Sequence, residues 1–169
     1  IINREISTIS EIKEDYIMSV MDMFSLKGKV ALVIGGSKGL GEGIAMGLVE
    51  AGAAAVVSSR NQADCDKAAN GITEKTGGQC YGISADISTK DGVDALVEKV
   101  IDKLGHIDIL VNSAGVNIRK PAIEYTVEDW DKVQDVQLKG VFLACQAVGK
   151  HMIEKGIKGK IINISSVSG

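Results

Sequence analysis

Short apolar runs alternate along the chain with segments in which apolar residues recur every third or fourth position. Five runs predict β-strands, at residues 30–34, 54–57, 80–83, 107–111 and 160–164. Each is short and mostly apolar, as expected of strands covered on both faces of a parallel sheet. The pattern therefore predicts an α/β fold, a doubly wound parallel sheet with helices on both faces that stops after its fifth strand.

The segments between the runs have helical periodicity. The clearest places apolar residues on one face, at Val93, Leu96, Val97, Val100, Ile101 and Leu104. Ser88 with Asp91, and Thr126 with Asp129, match the spacing of a capping box and predict helix starts. The second start predicts a long helix from about residue 127 towards residue 151.

Composition and charge limit the function classes. The chain has 169 residues, 45% of them hydrophobic, and one proline, which suffices for one domain with a sizeable core. A formal charge of −3 without long runs of either sign gives no electrostatic basis for binding nucleic acid or a membrane. Neither is expected as a partner. Residues 1–25 are interpreted as an N-terminal extension, either an unstructured arm or a short amphipathic helix, and residues 26–169 as the domain.

Cysteine and histidine usage argues against cross-links and metals. Cys65, Cys80 and Cys145 are odd in number and lack the C-x-x-C spacing of a zinc site, and neither His106 nor His151 lies in a cluster of carboxylates. Reduced thiols and the lack of an export signal predict a cytoplasmic protein without a bound metal.

A glycine-rich turn follows the first predicted strand and opens a helix. Its order, Gly35-x-x-x-Gly39-x-Gly41, suits close backbone approach to a phosphate at a helix N-terminus. It is neither the Walker pattern nor the commonest dinucleotide spacing. Two alternatives stay open, a hydrolase nucleophile elbow at Ser37 and a tight strand-to-helix connection without a ligand.

Small and polar residues follow the other strands too. Ser59 and Arg60 come after the second, Asp86 and Ile87 after the third, and the segment 112–115 after the fourth. The fifth is followed by Ser165 and Ser166. Because ligands of parallel sheets bind at the carboxyl ends of the strands, these residues are candidates for one site.

Together the glycine turn, Asp86, the Asn-Ser-Ala-Gly segment at 112–115 and the Asn-Ile-Ser-Ser segment at 163–166 resemble the classical short-chain dehydrogenase/reductase family. The resemblance covers about residues 26–169 and implies a Rossmann-like domain that binds a nicotinamide dinucleotide. Residues 117–122 and 128–130 are similar to family members that act on sugar acids and polyols, such as gluconate 5-dehydrogenases.

The resemblance, with the chemistry of the strand ends, implies a set of cofactor-binding residues: Gly35, Ser37, Lys38, Gly39, Leu40, Gly41, Ser59, Arg60, Asp86, Ile87, Asn112, Ala114 and Gly115. It gives Ser166 the role of hydrogen bonding the reacting oxygen. Gln137 takes the place of an asparagine that organises a proton-relay water. The family's tyrosine base and its lysine would follow Gly169, so we expect this sequence to lack them and to be catalytically incompetent alone.

The choice of cofactor depends on the second strand. An acid at its end favours NAD, whereas an arginine suits the 2′-phosphate of NADP. The chain has Ser59 and Arg60 there, and Lys38 in the glycine turn adds a second cation. NADP(H) is therefore favoured, with NAD(H) as the alternative.

The resemblance also implies a homo-oligomer, a dimer or tetramer, in the full-length parent. The helix at 130–149 would form half of a subunit interface, with Val133, Val136, Val141, Phe142 and Val148 as apolar contacts; the alternative is that these residues face the sheet. The function expected is hydride transfer between a secondary alcohol and a ketone of a small molecule. The alternatives are a non-catalytic dinucleotide-binding module and a reductase similar to the 3-ketoacyl reductases.

Overall fold

The computed structural model describes residues 19–166. Most of the predicted N-terminal extension, residues 1–18, lies outside the described residues, as do residues 167–169. Within residues 19–25, Asp22–Phe24 forms one 3₁₀ turn. None of the described helices combines the length and the apolar character that a membrane crossing requires.

Five parallel strands form one sheet. They are β1 (Val30–Ile34), β2 (Ala54–Ser59), β3 (Cys80–Ser84), β4 (Ile109–Asn112) and β5 (Lys160–Asn163), in the spatial order β3-β2-β1-β4-β5. From β1 the chain adds β2 and β3 on one side of β1 and then β4 and β5 on the other, so the topological switch point lies beside β1. The predicted Rossmann-like sheet is confirmed. Its β2 ends two residues later than predicted, and β4 begins two residues later.

Helices cover both faces of this sheet. They are α1 (Gly39–Glu50), α2 (Gln62–Thr76), α3 (Lys90–Leu104), α4 (Val127–Gln134) and α5 (Val141–Glu154). Alternate residues of β1 enter different layers: Val30, Leu32 and Ile34 pack in the cluster with α3 and α5, and Ala31 and Val33 pack with α1 and α2. All five are buried, because a central strand has no solvent face.

Two helix predictions need correction. The N-cap of α3 is Thr89 rather than Ser88, since the Thr89 side chain accepts a hydrogen bond from the Gly92 N–H at 3.1 Å. The long helix predicted from residue 127 contains a π-helical segment, Asp135–Gly140, between α4 and α5. Periodicity did not reveal this segment because a π-helical turn shifts the pattern by a single residue. The capping box of Thr126 and Asp129 is confirmed.

The five apolar residues predicted either to form a subunit interface or to face the sheet differ in burial. Val148 is fully buried in the layer beneath the sheet, which makes its assignment to a subunit contact wrong. Val136 is half-buried and packs against the same layer. Val133 and Val141 are half-buried, and Phe142 is 60% exposed. Of the five residues, Phe142 is therefore the one most available to another subunit.

A buried carboxylate joins β1 to β4 at the amino-terminal edge of the sheet. The Asp108 Oδ1 accepts a hydrogen bond from the Lys29 Nζ at 3.0 Å, and its Oδ2 accepts one from the Val30 N–H at 2.9 Å and lies 2.8 Å from the His106 Nε2. Burial raises the pKa of Asp108, but these hydrogen bonds and charges outweigh it and hold the pKa below its usual value. The carboxylate is thus stabilised in its ionised form.

Replacing Asp108 by alanine should lower the free energy of unfolding by about 1–3 kcal/mol, because the buried Val30 N–H loses its acceptor. Thermal unfolding of the complete protein measures this, with Asp102→Ala as the control, since Asp102 is exposed on α3. A carboxyl whose pKa falls on folding stabilises the fold above its unfolded pKa and loses that contribution as the pH drops through the folded value. The difference between wild type and Asp108→Ala should therefore shrink below about pH 4. Equal melting temperatures for the two aspartate variants at neutral pH would contradict this assignment.

Candidate functional site

A cleft of about 340 Å³ lies at the carboxyl ends of β1 to β4. The turns that follow these strands form its walls, as expected beside the switch point. The residues that line it are Ile34, Gly35, Ser37, Lys38, Leu40, Gly41, Ser58, Ser59, Arg60, Asn61, Asp64, Ala85, Asp86, Ile87, Ser113, Ala114, Gly115, Val116 and Val136.

The glycine turn forms the floor of the cleft at the end of β1. Gly35 has a φ of +81°, and its N–H donates to the Ser58 carbonyl at 2.7 Å. The Gly36 N–H donates to the same carbonyl at 3.2 Å. A Cβ on Gly35 would lie 2.5 Å from the Ala114 nitrogen, so the turn packs directly on the segment after β4. Backbone conformation and space both require glycine at this position.

Helix α1 begins inside the cleft without a capping side chain. Its N-cap residue, Lys38, makes no side-chain hydrogen bond to the first turn, whereas the side chains of Asn61 and Thr89 cap α2 and α3. The first N–H groups of α1 are thus left for an external acceptor. With the positive end of the helix dipole and the Lys38 ammonium nearby, this terminus suits an anion such as a pyrophosphate.

The turn between β2 and α2 forms a second wall. Cys65 anchors this turn. Its Sγ lies 3.1 Å from both the main-chain nitrogen and the Oγ of Ser59, and its N–H donates to the Asn61 carbonyl at 3.1 Å. Arg60 lies between these two anchored residues and has an exposed side chain. Its guanidinium makes no ion pair with any described residue within 4.0 Å. The turn therefore presents an available cation on a fixed backbone.

Asp86 forms the wall after β3. Its Oδ1 accepts a hydrogen bond from the Ser88 N–H at 3.0 Å. The hydrogen bonds from the backbone and side chain of Ser88, with a smaller contribution from the charge of Arg60, lower the pKa of Asp86. Asp86 therefore stays ionised at neutral pH and supplies acceptors to the cleft.

Eleven predicted cofactor-binding residues lie together in this cleft, and two do not line it: Gly39 and Asn112. Asn112 is buried at the end of β4, where its Nδ2 donates to the Asn163 Oδ1 of β5 at 2.8 Å. The same nitrogen lies 3.4 Å from the Cys145 Sγ. In this structure the Asn112 side chain joins β4, β5 and α5.

The two predicted catalytic residues also lie outside the lining. Gln137 is exposed in the π-helical segment, and its Oε1 accepts a hydrogen bond from the Val116 N–H at 2.9 Å. It thereby fixes the loop after β4 to that segment. Ser166 is exposed, three residues after the end of β5. The catalytic roles of both residues stay predictions.

Several lining residues were not among the predicted site residues. Ser58 is fully buried and its Oγ has no hydrogen-bond partner among the described residues. Asp64 also lines the cleft, whereas the sequence predicted only Ser59 and Arg60 at the end of β2 as site residues. The sequence spacing could have indicated this position. Asp64 follows the N-cap Asn61 by three residues, so one turn of α2 brings it back to the side of the helix that faces the site.

The arrangement fits a dinucleotide. A backbone cradle in which side chains would clash and a helix terminus without a capping side chain among the described residues provide donors for phosphate oxygens. Arg60, Asp86 and the apolar Ile87 offer charge and contact area to the groups attached. Among residues 19–166, no three His, Cys, Asp or Glu side chains lie close enough together to hold a metal ion.

The family model described as short chain dehydrogenase matches residues 29–169. The chain is 40% identical over 157 residues to the 2-dehydro-3-deoxy-D-gluconate 5-dehydrogenase of Escherichia coli, covering 88% of this chain and 57% of that protein. It is 38% identical over 150 residues to a 3-oxoacyl-[acyl-carrier-protein] reductase of Synechocystis, covering 87% of this chain and 59% of that protein.

Among solved structures, a gluconate 5-dehydrogenase from Burkholderia cenocepacia in complex with NADP and tartrate superposes with a TM-score of 0.81. It is 39% identical to this chain, and the match covers 88% of this chain and 58% of that one. The chain thus spans less than two thirds of the length of each of these relatives.

Proposed function

Because the chain belongs to the short-chain dehydrogenase family, we propose that it provides the cofactor-binding part of an oxidoreductase that uses NADP(H). The reaction is hydride transfer between a secondary alcohol and a ketone of a small molecule such as a sugar acid or polyol. The observation that supports this most is the cleft itself, in which a phosphate cradle shares one cavity with an arginine that has no ion pair among residues 19–166. The cytoplasmic location and the homo-oligomeric state of the complete protein belong to the same proposal.

The dinucleotide supplies the hydride chemistry when bound. In this proposal the glycine turn and the N-terminus of α1 hold the pyrophosphate, and Arg60 with Lys38 binds the 2′-phosphate. Asp86 and Ile87 contact the adenine, while Ala114 and Gly115 line the ribose. Asn112, at the end of β4, supports this wall by tying it to β5.

Ser166 donates a hydrogen bond to the reacting oxygen of the substrate. Gln137 positions the loop after β4 through the Val116 N–H, and organises relay water through the remainder of its amide. The tyrosine and lysine that complete the family's proton transfer are expected in the segment after Gly169. Sequencing that segment is a direct test, because a Tyr-x-x-x-Lys there supports the enzyme, while its absence favours a non-catalytic binding module.

Sugar acids and polyols are favoured as substrates by the likeness to two gluconate-type dehydrogenases. The second candidate, a 3-oxoacyl thioester, is favoured by the likeness to the Synechocystis reductase. Steady-state rates of the complete protein on gluconate-type acids, polyols and a 3-oxoacyl thioester separate the two. Higher kcat/KM on the thioester would replace the first candidate with the second.

Arg60→Ala should weaken NADPH binding by about 10- to 100-fold, because a charge-assisted hydrogen bond to a phosphate contributes about 1.5–3 kcal/mol. NADH lacks that phosphate, so its affinity should change less than about twofold. Fluorescence titration of the complete protein with each cofactor measures both. The matched control is Lys67→Ala, which removes an exposed cation of α2 that does not line the cleft. Equal weakening of NADPH and NADH by Arg60→Ala would overturn the selectivity proposal.

A further inference from the structure

The segment that begins α2 brings a cationic and an anionic residue to the same wall of the cleft. Arg60 and Asp64 both line it, and Asn61 lies between them as the N-cap. The Asn61 Oδ1 accepts the Asp64 N–H at 3.2 Å, which fixes the backbone of Asp64 at the start of the helix. The Asp64 side chain is therefore not needed to cap its own helix.

The Asp64 carboxylate differs from its neighbours in having no engaged partner. Within residues 19–166 its side chain makes no hydrogen bond or ion pair, whereas Asp66 accepts from the Gln62 Nε2 at 2.7 Å and Asp86 accepts from the Ser88 N–H. A negative charge in the first turn of a helix interacts favourably with the helix dipole, so this position accommodates the side chain without a partner. Asp64 thus offers the cleft a negative charge and two unused acceptors.

A carboxylate at this position favours the binding of NAD(H) and disfavours the binding of NADP(H). A carboxylate accepts hydrogen bonds from ribose hydroxyls but repels a phosphate, and the two cofactors differ in bearing one or the other at the ribose 2′ position. The cations Arg60 and Lys38 have the reverse preference. Because all three residues line one cleft, their charges compete there.

We propose that Asp64 is a specificity-determining residue that limits the preference for NADP(H) and preserves binding of NAD(H). The inference rests on the proposed function, in which this wall receives the adenosine ribose. The chain accordingly accepts both dinucleotides, with a ratio set by Arg60 and Lys38 on one side and Asp64 on the other.

The test is Asp64→Asn in the complete protein, with NADPH and NADH affinities measured by fluorescence titration at low and at high salt. We expect NADPH to bind about 3- to 10-fold more tightly and NADH about 2- to 5-fold more weakly, as for a partly screened charge near the ligand. The change in the NADPH to NADH ratio should diminish in high salt, where exposed charges are screened. Asp64→Glu, which keeps the charge, should stay within about twofold of the wild-type ratio.

Asp66→Asn is the matched control, since Asp66 lies on the same helix and does not line the cleft. It should leave the ratio within about twofold of wild type. A ratio that is unchanged in Asp64→Asn overturns the inference, as does a parallel shift of both cofactors or an equal shift in Asp66→Asn. Failure of the Arg60 proposal is recognised separately, because Arg60→Ala then leaves NADPH binding intact while Asp64→Asn still separates the two cofactors.

Discussion

Replacing Gly41 by alanine should abolish nicotinamide dinucleotide binding by the complete protein. A Cβ at this position would lie 2.2 Å from the Gly35 carbonyl oxygen, far inside van der Waals contact. The obstacle is main chain, and it cannot move aside freely because the Gly35 N–H is anchored to the Ser58 carbonyl at 2.7 Å. Relief requires the start of α1 to separate from the glycine turn, and this would dismantle the phosphate cradle. We expect an affinity loss of more than about 100-fold for both NADPH and NADH, equivalent to about 2.8 kcal/mol or more.

Gly43→Ala is the matched control for this result. Gly43 lies two residues later in α1, and a Cβ there would meet no atom within 4 Å. Alanine should keep cofactor affinity and raise the free energy of unfolding by about 0.5–1 kcal/mol, since glycine is costly inside a helix. Isothermal titration and thermal unfolding of both variants give the comparison. Retained affinity in a folded Gly41→Ala protein would refute the cradle assigned to this turn.

Ser166→Ala should lower the turnover number of the complete enzyme by about 100- to 1,000-fold, the usual cost of removing one hydrogen-bond donor from a reacting oxygen. Cofactor affinity should be unchanged, because Ser166 does not line the cleft around the glycine turn. The loss should fall on kcat more than on KM, since the interaction strengthens as charge develops on that oxygen. Stopped-flow measurement of NADPH oxidation with a ketone substrate, alongside a cofactor titration, separates these effects.

Ser165→Ala is the control for the catalytic assignment. Ser165 is the adjacent residue, also exposed after β5, and its loss should change turnover by less than about threefold. The two substitutions remove the same atom from neighbouring positions, so general disturbance of the segment would affect both. If Ser165→Ala is the impaired variant, the reacting oxygen has been assigned to the wrong hydroxyl.

Features that depend on local chemistry were predictable from the sequence. The apolar run at Val30–Ile34 predicted a strand covered on both faces of a parallel sheet, because such strands are apolar along their whole length. Gly35 and Gly41 were predicted to allow close backbone approach to a phosphate, which stays a prediction; in the structure both lack room for a Cβ because other main-chain atoms pack against them. The capping box at Thr126 was found because its two partners are three residues apart.

Features that depend on packing between distant segments were not predictable. Val148 and Phe142 are both apolar residues of one helix, but the sheet covers the first and leaves the second exposed. The hydroxyl of either Ser88 or Thr89 could cap a helix. Which of them does so depends on where the chain leaves β3, and in the structure it is Thr89. Asp64 was not predicted because it does not lie in the turn directly after β2; the first turn of α2 brings it to the cleft.

The main-chain carbonyl of Ser58 links the glycine turn to strand β2. It accepts both the Gly35 and the Gly36 N–H groups, and Ser58 itself belongs to β2. Opening of the glycine turn therefore breaks two hydrogen bonds to one peptide unit at once, so the two amides should exchange with solvent in a common event. A ligand that immobilises the turn would also restrain the neighbouring strand β2. A bound cofactor would therefore stabilise the sheet in addition to taking part in the reaction.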